Sequence, residues 1–455
     1  MKVPLPKSEK LHGICVDLSF EGKGVFKVND EVFFVPGIFP GEEGDIEFDY
    51  VRTGAKFGRL VNLSKVSPYR IQPRCKICSA CGGCCFQQYQ YEAQLVYKSG
   101  KVKEQFRKIA KMDVDVNPCI GMDDPYFYRN KIQMPFAKDN RGNLYCGFYK
   151  ESTHVIVPVD TCYIEDERAK KVLDAVKRLG KGFKIEPYQE DAGFGLLRHV
   201  LIRCSKHLGQ VMVVFVTSKD AFPSRGNFVK ALIKECPFIT TIVQNLNPRH
   251  TNVILGDFER VLYGPGFIED VLCGITFRIS AKSFYQVNPV MTEKLYGEAI
   301  KAAKLTENDI VFDAYSGIGT IGMVAARHCK RVIAVEIVKE AVADARRNAK
   351  ANGITNIASY CGDASSFMVD MAKKNQKVDV VFLDPPRKGS DERCLTAICK
   401  LAPSRIVYVS CEPSTLARDV AYLSRKYELT SLQPVDMFPH TPHVEVCCLM
   451  SRKTT

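Results

Sequence analysis

The sequence predicts an α/β architecture with two smaller units ahead of it, on three observations. From about residue 281, short apolar strands alternate with helices, the pattern of a doubly wound parallel sheet with helices on both faces. Before residue 66, short alternating strands with glycine turns recur at even spacing, which indicates a small closed β-barrel. Between them, helix and strand signals mix without a repeat or low-complexity segment, giving an α+β unit. At 455 residues the chain exceeds what one core holds, and the composition shifts divide it into 1–66, 67–280 and 281–455.

The barrel strands read as Gly13–Leu18, Gly22–Val28, Glu31–Gly37 and Asp45–Tyr50. In the central unit, Tyr91 to Lys111 carries a helical apolar period (Leu95, Val102, Phe106, Ile109) opposite a basic face, a candidate to pack on the C-terminal domain. Lys131–Phe136 and Gln210–Val216 read as strands. The C-terminal strands are Ile310–Tyr315, Arg331–Glu336, Ile357–Cys361, Val378–Leu383 and Arg405–Ser410, with a closing strand over His443–Met450. Helices fall near 319–328, 338–352, 391–400 and 414–425.

Composition narrows the function classes. The longest purely apolar run is Val211–Val216, far short of a membrane span, and Met1–Lys7 has no apolar signal region. A soluble cytoplasmic protein is expected, so the 19 cysteines read as reduced thiols, metal ligands or catalytic groups, not disulfides. Of the net charge of +13, residues 51–111 carry +11, from thirteen Lys or Arg against Glu92 and Glu104. Such clustering suits a polyanion, because each cation that meets a phosphate releases condensed counterions. No obligatory protein partner is evident, and a monomer is expected.

Candidate site residues stand at strand ends. Cys411 closes the apolar run Ile406–Ser410, and Asp384 closes Val380–Leu383 ahead of Pro385-Pro386. In an open α/β sheet that edge binds ligands, so a thiol placed there is a candidate nucleophile. Cysteine at a strand end is also often a buried small hydrophobe. Asp313-Ala314-Tyr315-Ser316-Gly317-Ile318-Gly319 puts glycines in the first strand-to-helix turn, where the backbone can approach a ligand. Glu336 ends the second strand, where a carboxylate can accept from two ribose hydroxyls. Dehydrogenases share both features; Gly362-Asp363-Ala364 and Asp384-Pro385-Pro386 distinguish a class I (Rossmann-like) methyltransferase pattern instead.

The stretch Asp313–Glu445, with Ser283-Phe284-Tyr285-Gln286-Val287-Asn288, resembles the RumA/TrmA family of RNA (uracil-5-)-methyltransferases. Asp384-Pro385-Pro386-Arg387, Ser410-Cys411-Glu412-Pro413 and His443-Val444-Glu445 carry the resemblance. Val35-Pro36-Gly37-Ile38-Phe39-Pro40-Gly41-Glu42 resembles the TRAM domain, an oligonucleotide-fold-like barrel. With the cysteine cluster added, the chain is similar to the iron–sulfur branch that methylates 23S rRNA. The resemblance implies S-adenosylmethionine contacts from Gln286, Tyr315, Glu336, Asp363 and Asp384, with Cys411 as nucleophile and Glu445 as base. Arg387-Lys388-Gly389 follows the prolines where amino-group methyltransferases carry an aromatic, which argues against amine methylation.

The chemistry requires these residue types. Carbon 5 of uracil is a poor nucleophile, and a thiolate adding to carbon 6 makes an enolate whose carbon 5 can attack a sulfonium methyl. Free cysteine titrates near 8.5, so the site is expected to favour the thiolate through the following helix N-terminus and Arg387. A carboxylate made more basic by burial then takes the carbon-5 proton. A uracil in folded RNA must be flipped out, and Tyr126-Phe127-Tyr128-Arg129-Asn130-Lys131 interleaves aromatic and basic residues suited to stacking, with Arg198 and His199 as weaker candidates. The same pattern also describes a loop packing its own aromatics.

Cys75, Cys78, Cys81, Cys84 and Cys85 can be read in two ways. Two CxxC pairs suggest zinc, and a C-x5-C-x2-C reading needs a remote fourth ligand. The resemblance implies the second, a 4Fe-4S cluster on Cys75, Cys81, Cys84 and Cys162, with Cys78 and Cys85 surplus and zinc the alternative. No step of the expected reaction moves an electron, so a structural role is expected. Rival readings are the same reaction on tRNA, an RNA-binding protein with an inactive methyltransferase domain, and an iron–sulfur redox or radical enzyme, the last lacking a CxxxCxxC triplet.

Overall fold

The computed structural model describes residues 10–150 and 153–453. Met1–Lys7 and the start of the barrel region lie outside the described residues.

Five strands close the N-terminal barrel in the order β1-β2-β3-β5-β4: β1 (Leu11–Leu18), β2 (Gly24–Val28), β3 (Glu31–Val35), β4 (Glu43–Arg52) and β5 (Ala55–Lys65). Phe26, Phe33, Val35, Ile38 and Ile46 fill it. The sequence reading stops at Tyr50 and misses β5, whose cations interrupt any apolar pattern. Those cations face acids on neighbouring strands: Lys56 pairs with Glu31, Arg59 with Glu47 and Lys65 with Glu43. The basic segment therefore offers a polyanion less charge than its composition implies. Arg70 likewise forks onto buried Glu42 (2.6 and 2.7 Å), pinning the chain that leaves the barrel.

After a single helical turn in the cysteine cluster, α1 (Cys78–Cys81), comes α2 (Tyr91–Gln105), which continues as a π-helical turn over Phe106–Ala110. Val102 and Phe106 of this helix join the core of the C-terminal sheet, while Ile109 stays exposed. Gln94 and Lys98, which an apolar period would leave outside, are fully buried.

The central sheet holds β6 (Lys131–Lys138), β7 (Leu144–Tyr149), β8 (Ile156–Pro158), β9 (Leu197–Cys204), β10 (Val211–Thr217), β11 (Ile239–Leu246) and β12 (Phe258–Tyr263), in the order β12-β11-β10-β9-β6-β7-β8. Val211, Val213 and Phe215 pack under α3 (Glu167–Gly182) and α4 (Arg225–Glu235), whereas Met212 and Val214 share a core with the C-terminal domain. Burial on both faces explains the continuous apolar run of β10.

A hairpin, β13 (Ile268–Leu272) and β14 (Ile275–Ile279), leads to α5 (Pro289–Ala303), which Asn288 caps and Pro289 opens. The C-terminal sheet runs β17-β16-β15-β18-β19-β21-β20. Its strands are β15 (Ile310–Ala314), β16 (Arg331–Glu336), β17 (Ile357–Cys361), β18 (Val380–Leu383), β19 (Arg405–Ser410), β20 (Tyr427–Val435) and β21 (Glu445–Arg452). The first five pair parallel, and β21 inserts antiparallel between β19 and β20. Helices α6 (Thr320–Ala326), α7 (Lys339–Ala351), α8 (Ala364–Lys373), α9 (Glu392–Leu401) and α10 (Pro413–Leu423) cover both faces. Among them α8, together with strand β20, is absent from the sequence reading. No helix among the described residues is long and apolar enough to cross a membrane.

Candidate active site

Strand register assembles the site. β19 and β21 are antiparallel with Ser410 opposite Val446, so Cys411, one residue past β19, stands level with Glu445, the first residue of β21. β15 and β18 are parallel with Ala314 opposite Leu383, so Asp384 stands beside Tyr315. One cavity of about 680 Å³ at this edge is lined by Cys411, Asp384 and Glu445, and also by Gln286, Tyr315, Glu336 and Asp363. Five residues singled out at strand ends and turns, and Gln286 and Glu445 that the resemblance alone implies, therefore line one cavity.

The electrostatics are those of crowded carboxyls in a dry pocket. Burial pushes Glu445 up to about 8, helped by the neighbouring Asp384 and opposed by Arg387. Burial likewise pushes Asp384 up to about 7. Cys411, half-buried, is pushed up to about 11, first by burial and then by Glu445 and Asp384, with Arg387 pulling the other way. This corrects the expectation of a site that favours the thiolate. The cation expected to lower the thiol is present, but two carboxyls and the apolar wall outweigh it.

On the cofactor side, Gly317 and Gly319 take positive φ (+55° and +85°), and a Cβ on Gly317 would point into open space. A bare backbone thus faces the cavity, the surface an extended ligand needs. Glu336 accepts from the Gly317 N–H (2.9 Å) and the Val338 N–H (2.8 Å), which aims its carboxylate across the turn. Asp363 caps α8 through the Ser366 N–H (2.8 Å), and that bond with the Ser366 hydroxyl holds it below the usual carboxylate range. The Gln286 carbonyl accepts from Asn130 Nδ2 (3.0 Å), so the central unit fixes this part of the wall.

Sequence reasoning missed Tyr296, Phe438 and His443 as cavity residues and placed Arg129 only in an RNA-contact loop. Tyr296 sits on the buried face of α5 and reads as core; nothing local marks it. The RNA-contact reading needs correction elsewhere. Tyr128 is 4% exposed and bonds the Pro439 carbonyl, so it cannot stack on a base. Tyr126 leans on His440 with Arg74 above it. Arg198 is buried against Glu190, and His199 is buried too, which removes both from any surface.

The cysteine cluster is gathered by packing. Cys75, Cys78 and Cys84 pack around Tyr128 and Ile164, with Cys162 against them. Burial pushes Cys84 up to about 12 and raises Cys162 too, with Glu165 adding to the second. Among the described residues no group of three or more His, Cys, Asp or Glu side chains is arranged to hold a metal ion. The donor chemistry fits a thiolate-loving metal, and Cys78 joins the group although the expected ligand set omits it.

A mainly parallel sheet with a glycine turn, an acidic strand end, a thiol and two buried carboxyls on one edge has the form of a methyltransferase fold. Residues 272–453 match the family model described as tRNA (uracil-5-)-methyltransferase. An uncharacterized RNA methyltransferase of Halalkalibacterium halodurans is 42% identical over 99% of both chains. One of Clostridium acetobutylicum is 41% identical over 99% of this chain and 98% of its own. The solved structure of the Pyrococcus abyssi tRNA (uracil-54, C5)-methyltransferase with S-adenosyl-L-homocysteine superposes with a TM-score of 0.79 at 27% identity, covering 97% of this chain and 99% of that one. The chain belongs to the family of S-adenosylmethionine-dependent RNA (uracil-5-)-methyltransferases.

Proposed function

We propose that this enzyme methylates carbon 5 of a uridine in 23S rRNA through a covalent adduct between Cys411 and the base. The observation that carries the chemistry is the β19/β21 register, which sets a thiol and a buried carboxyl level with each other on one cavity that Asp384 also lines. S-adenosylmethionine supplies the methyl group; Gln286, Tyr315, Glu336, Asp363 and Asp384 would hold it along the glycine turn in a class I arrangement.

Cys411, after its thiol proton is lost to solvent, adds through sulfur to carbon 6 of the flipped uracil, and the ring electrons move toward the carbon-4 oxygen. Asp384, pushed up to about 7, keeps a proton to donate to the carbonyl edge where that charge grows. Carbon 5 takes the methyl as its bond to the sulfonium breaks and the sulfur leaves as a neutral thioether, and Glu445, made more basic by burial, removes the carbon-5 proton. The carbon–sulfur bond then breaks, returning the thiolate and the product. Arg387, which also lines the cavity, pulls the Cys411 thiol down against the carboxyls and so favours the thiolate.

The TRAM-like barrel carries RNA away from the cavity. Between it and α2 runs a groove of about 980 Å³ whose rings, Phe20, Phe34 and Phe57, could stack on a single strand, although its cations Lys23 and Lys108 are already paired with Glu21 and Glu104. Cys75, Cys81, Cys84 and Cys162 would hold a 4Fe-4S cluster, with zinc the other candidate, which cross-links the loops beside the cavity. A second reading keeps the chemistry on tRNA and is favoured by the Pyrococcus neighbour, whose substrate is tRNA. Nucleoside mapping of rRNA and tRNA from cells with and without the gene, rescued by wild type or Cys411→Ala, decides. Loss of 5-methyluridine from large-subunit rRNA, restored by wild type alone, is expected. Loss confined to tRNA would shift the substrate, and no loss in either would overturn the proposal.

A further inference from the structure

The segment Asp436–His443 links β20 to Glu445 and walls the cavity with Phe438 and His443. Its carbonyls are captured one after another by distant parts of the chain. Met437 O accepts from Asn288 Nδ2 (3.2 Å), Phe438 O from Lys98 Nζ (3.1 Å) and Pro439 O from the Tyr128 hydroxyl (3.1 Å). His440 O accepts from the Phe86 N–H (3.0 Å) and Pro442 O from Lys101 Nζ (2.8 Å). His440 itself takes φ +66°, unusual without glycine, and its N–H donates to Gln94 Oε1 (3.0 Å).

Asp436 is the hub. One carboxylate oxygen meets Lys98 Nζ and the Phe438 N–H (3.1 Å), and the other accepts from the Tyr91 hydroxyl (2.8 Å). The Tyr91 oxygen in turn accepts from the Met122 N–H (3.0 Å). Lys98 and Asp436 side chains are both 0% exposed. Gln94, Lys98 and Lys101 lie a turn apart on α2, so one helix face is devoted to this loop. An apolar pair of similar size could serve stability as well as a buried ion pair, but it could not direct these bonds.

We propose that Lys98 and Asp436 are positioning residues for methyl transfer: their buried pair locks the 436–443 segment and thereby aims Glu445 at the carbon-5 proton. This rests on the reading of Glu445 as the base. Misaiming by even an ångström costs about 10²-fold in rate, so Lys98→Met is expected to lower turnover about 10- to 100-fold. The KM for S-adenosylmethionine should stay within about twofold, because Lys98 touches none of that side. Since proton removal releases the adduct, slowing it should leave protein linked to RNA.

The test compares wild type, Lys98→Met, the double variant Lys98→Met/Asp436→Leu and Glu445→Gln on RNA extracted from cells lacking the gene. Turnover, melting temperature and RNA-linked protein on denaturing gels are read together. Expected are linked protein in all three variants, and a double variant that recovers the melting temperature but not the turnover. Should Lys98→Met fail to fold, the double variant decides alone. A double variant that recovers turnover with stability would reduce the pair to a structural role and overturn the proposal. Linked protein in Glu445→Gln but not in the latch variants would also overturn it, leaving Glu445 intact as the base. Its absence from Glu445→Gln would overturn the base, and the latch with it.

Discussion

Two regions of this molecule concentrate reactive side chains, the sheet edge at Cys411 and the loop cluster around Cys84, and they are built on different principles. At the sheet edge, backbone register alone fixes the neighbours: Ser410 opposite Val446 and Ala314 opposite Leu383 leave Cys411, Glu445 and Asp384 no choice of position. In the cluster, α1 is a single helical turn, Cys162 arrives from another loop, and side-chain packing around Tyr128 and Ile164 does the gathering. Burial raises thiols in both. At the edge two carboxyls and an arginine act on one thiol in opposite senses, whereas in the cluster Glu165 raises Cys162 and Cys81 and lysines lower Cys85. A site made by register can be tuned by its charges without losing its geometry, whereas a site made by packing depends on whatever fills it.

The sharpest test of that difference is substitution of one thiol in each region. Cys411→Ala should abolish turnover, about 10⁴-fold or more, while the melting temperature and S-adenosylmethionine binding by calorimetry stay close to wild type. Cys84→Ser should do the reverse: the melting temperature falls by about 5 °C or more, and iron content by elemental analysis drops with it. A cluster variant with full iron and an unchanged melting curve would break the contrast.

Smaller effects come from the charges at the edge. Asp384 has its folded-state value raised to about 7, so the folded enzyme binds this proton more tightly than the unfolded chain does. The resulting stabilisation is complete below the ordinary carboxylate range and is lost as pH climbs to about 7. Asp384→Asn should therefore raise the melting temperature at pH 8 by about 2–4 °C and leave pH 4 nearly unaffected, while activity is lost. Arg387 lowers both Cys411 and Glu445. Arg387→Gln should move the rising limb of kcat/KM toward higher pH at low salt, and less at high salt.

The sequence carried the edge further than the cluster for the same physical reason. Short apolar strands that stop at Glu336, Asp384 and Cys411 announce a sheet edge, and the alternation with helices orders it. Strand β20 escaped notice because Glu428, Thr430 and Gln433 dilute it, yet its partner β21 still placed Glu445. Spacing within Cys75–Cys85 gave donors but no distances, because loops lack a period. Gln94 and Lys98 read as part of a polar helix face; their burial depends on Asp436 and His440, more than three hundred residues downstream. The loop aromatics at 126–128 suited either RNA or their own packing, and only tertiary contacts with the 436–443 segment separate the two.

In the proposed mechanism Cys411 attacks carbon 6, and release requires loss of the carbon-5 proton. RNA carrying 5-fluorouridine tests it directly, because fluorine at carbon 5 cannot leave as a proton and the adduct should be trapped after methyl transfer. Mass spectrometry of the digested complex is predicted to find the modified nucleotide on the peptide containing Cys411, and on none in Cys411→Ala. A methylated product without any linked peptide, or a link to another residue, would contradict the mechanism.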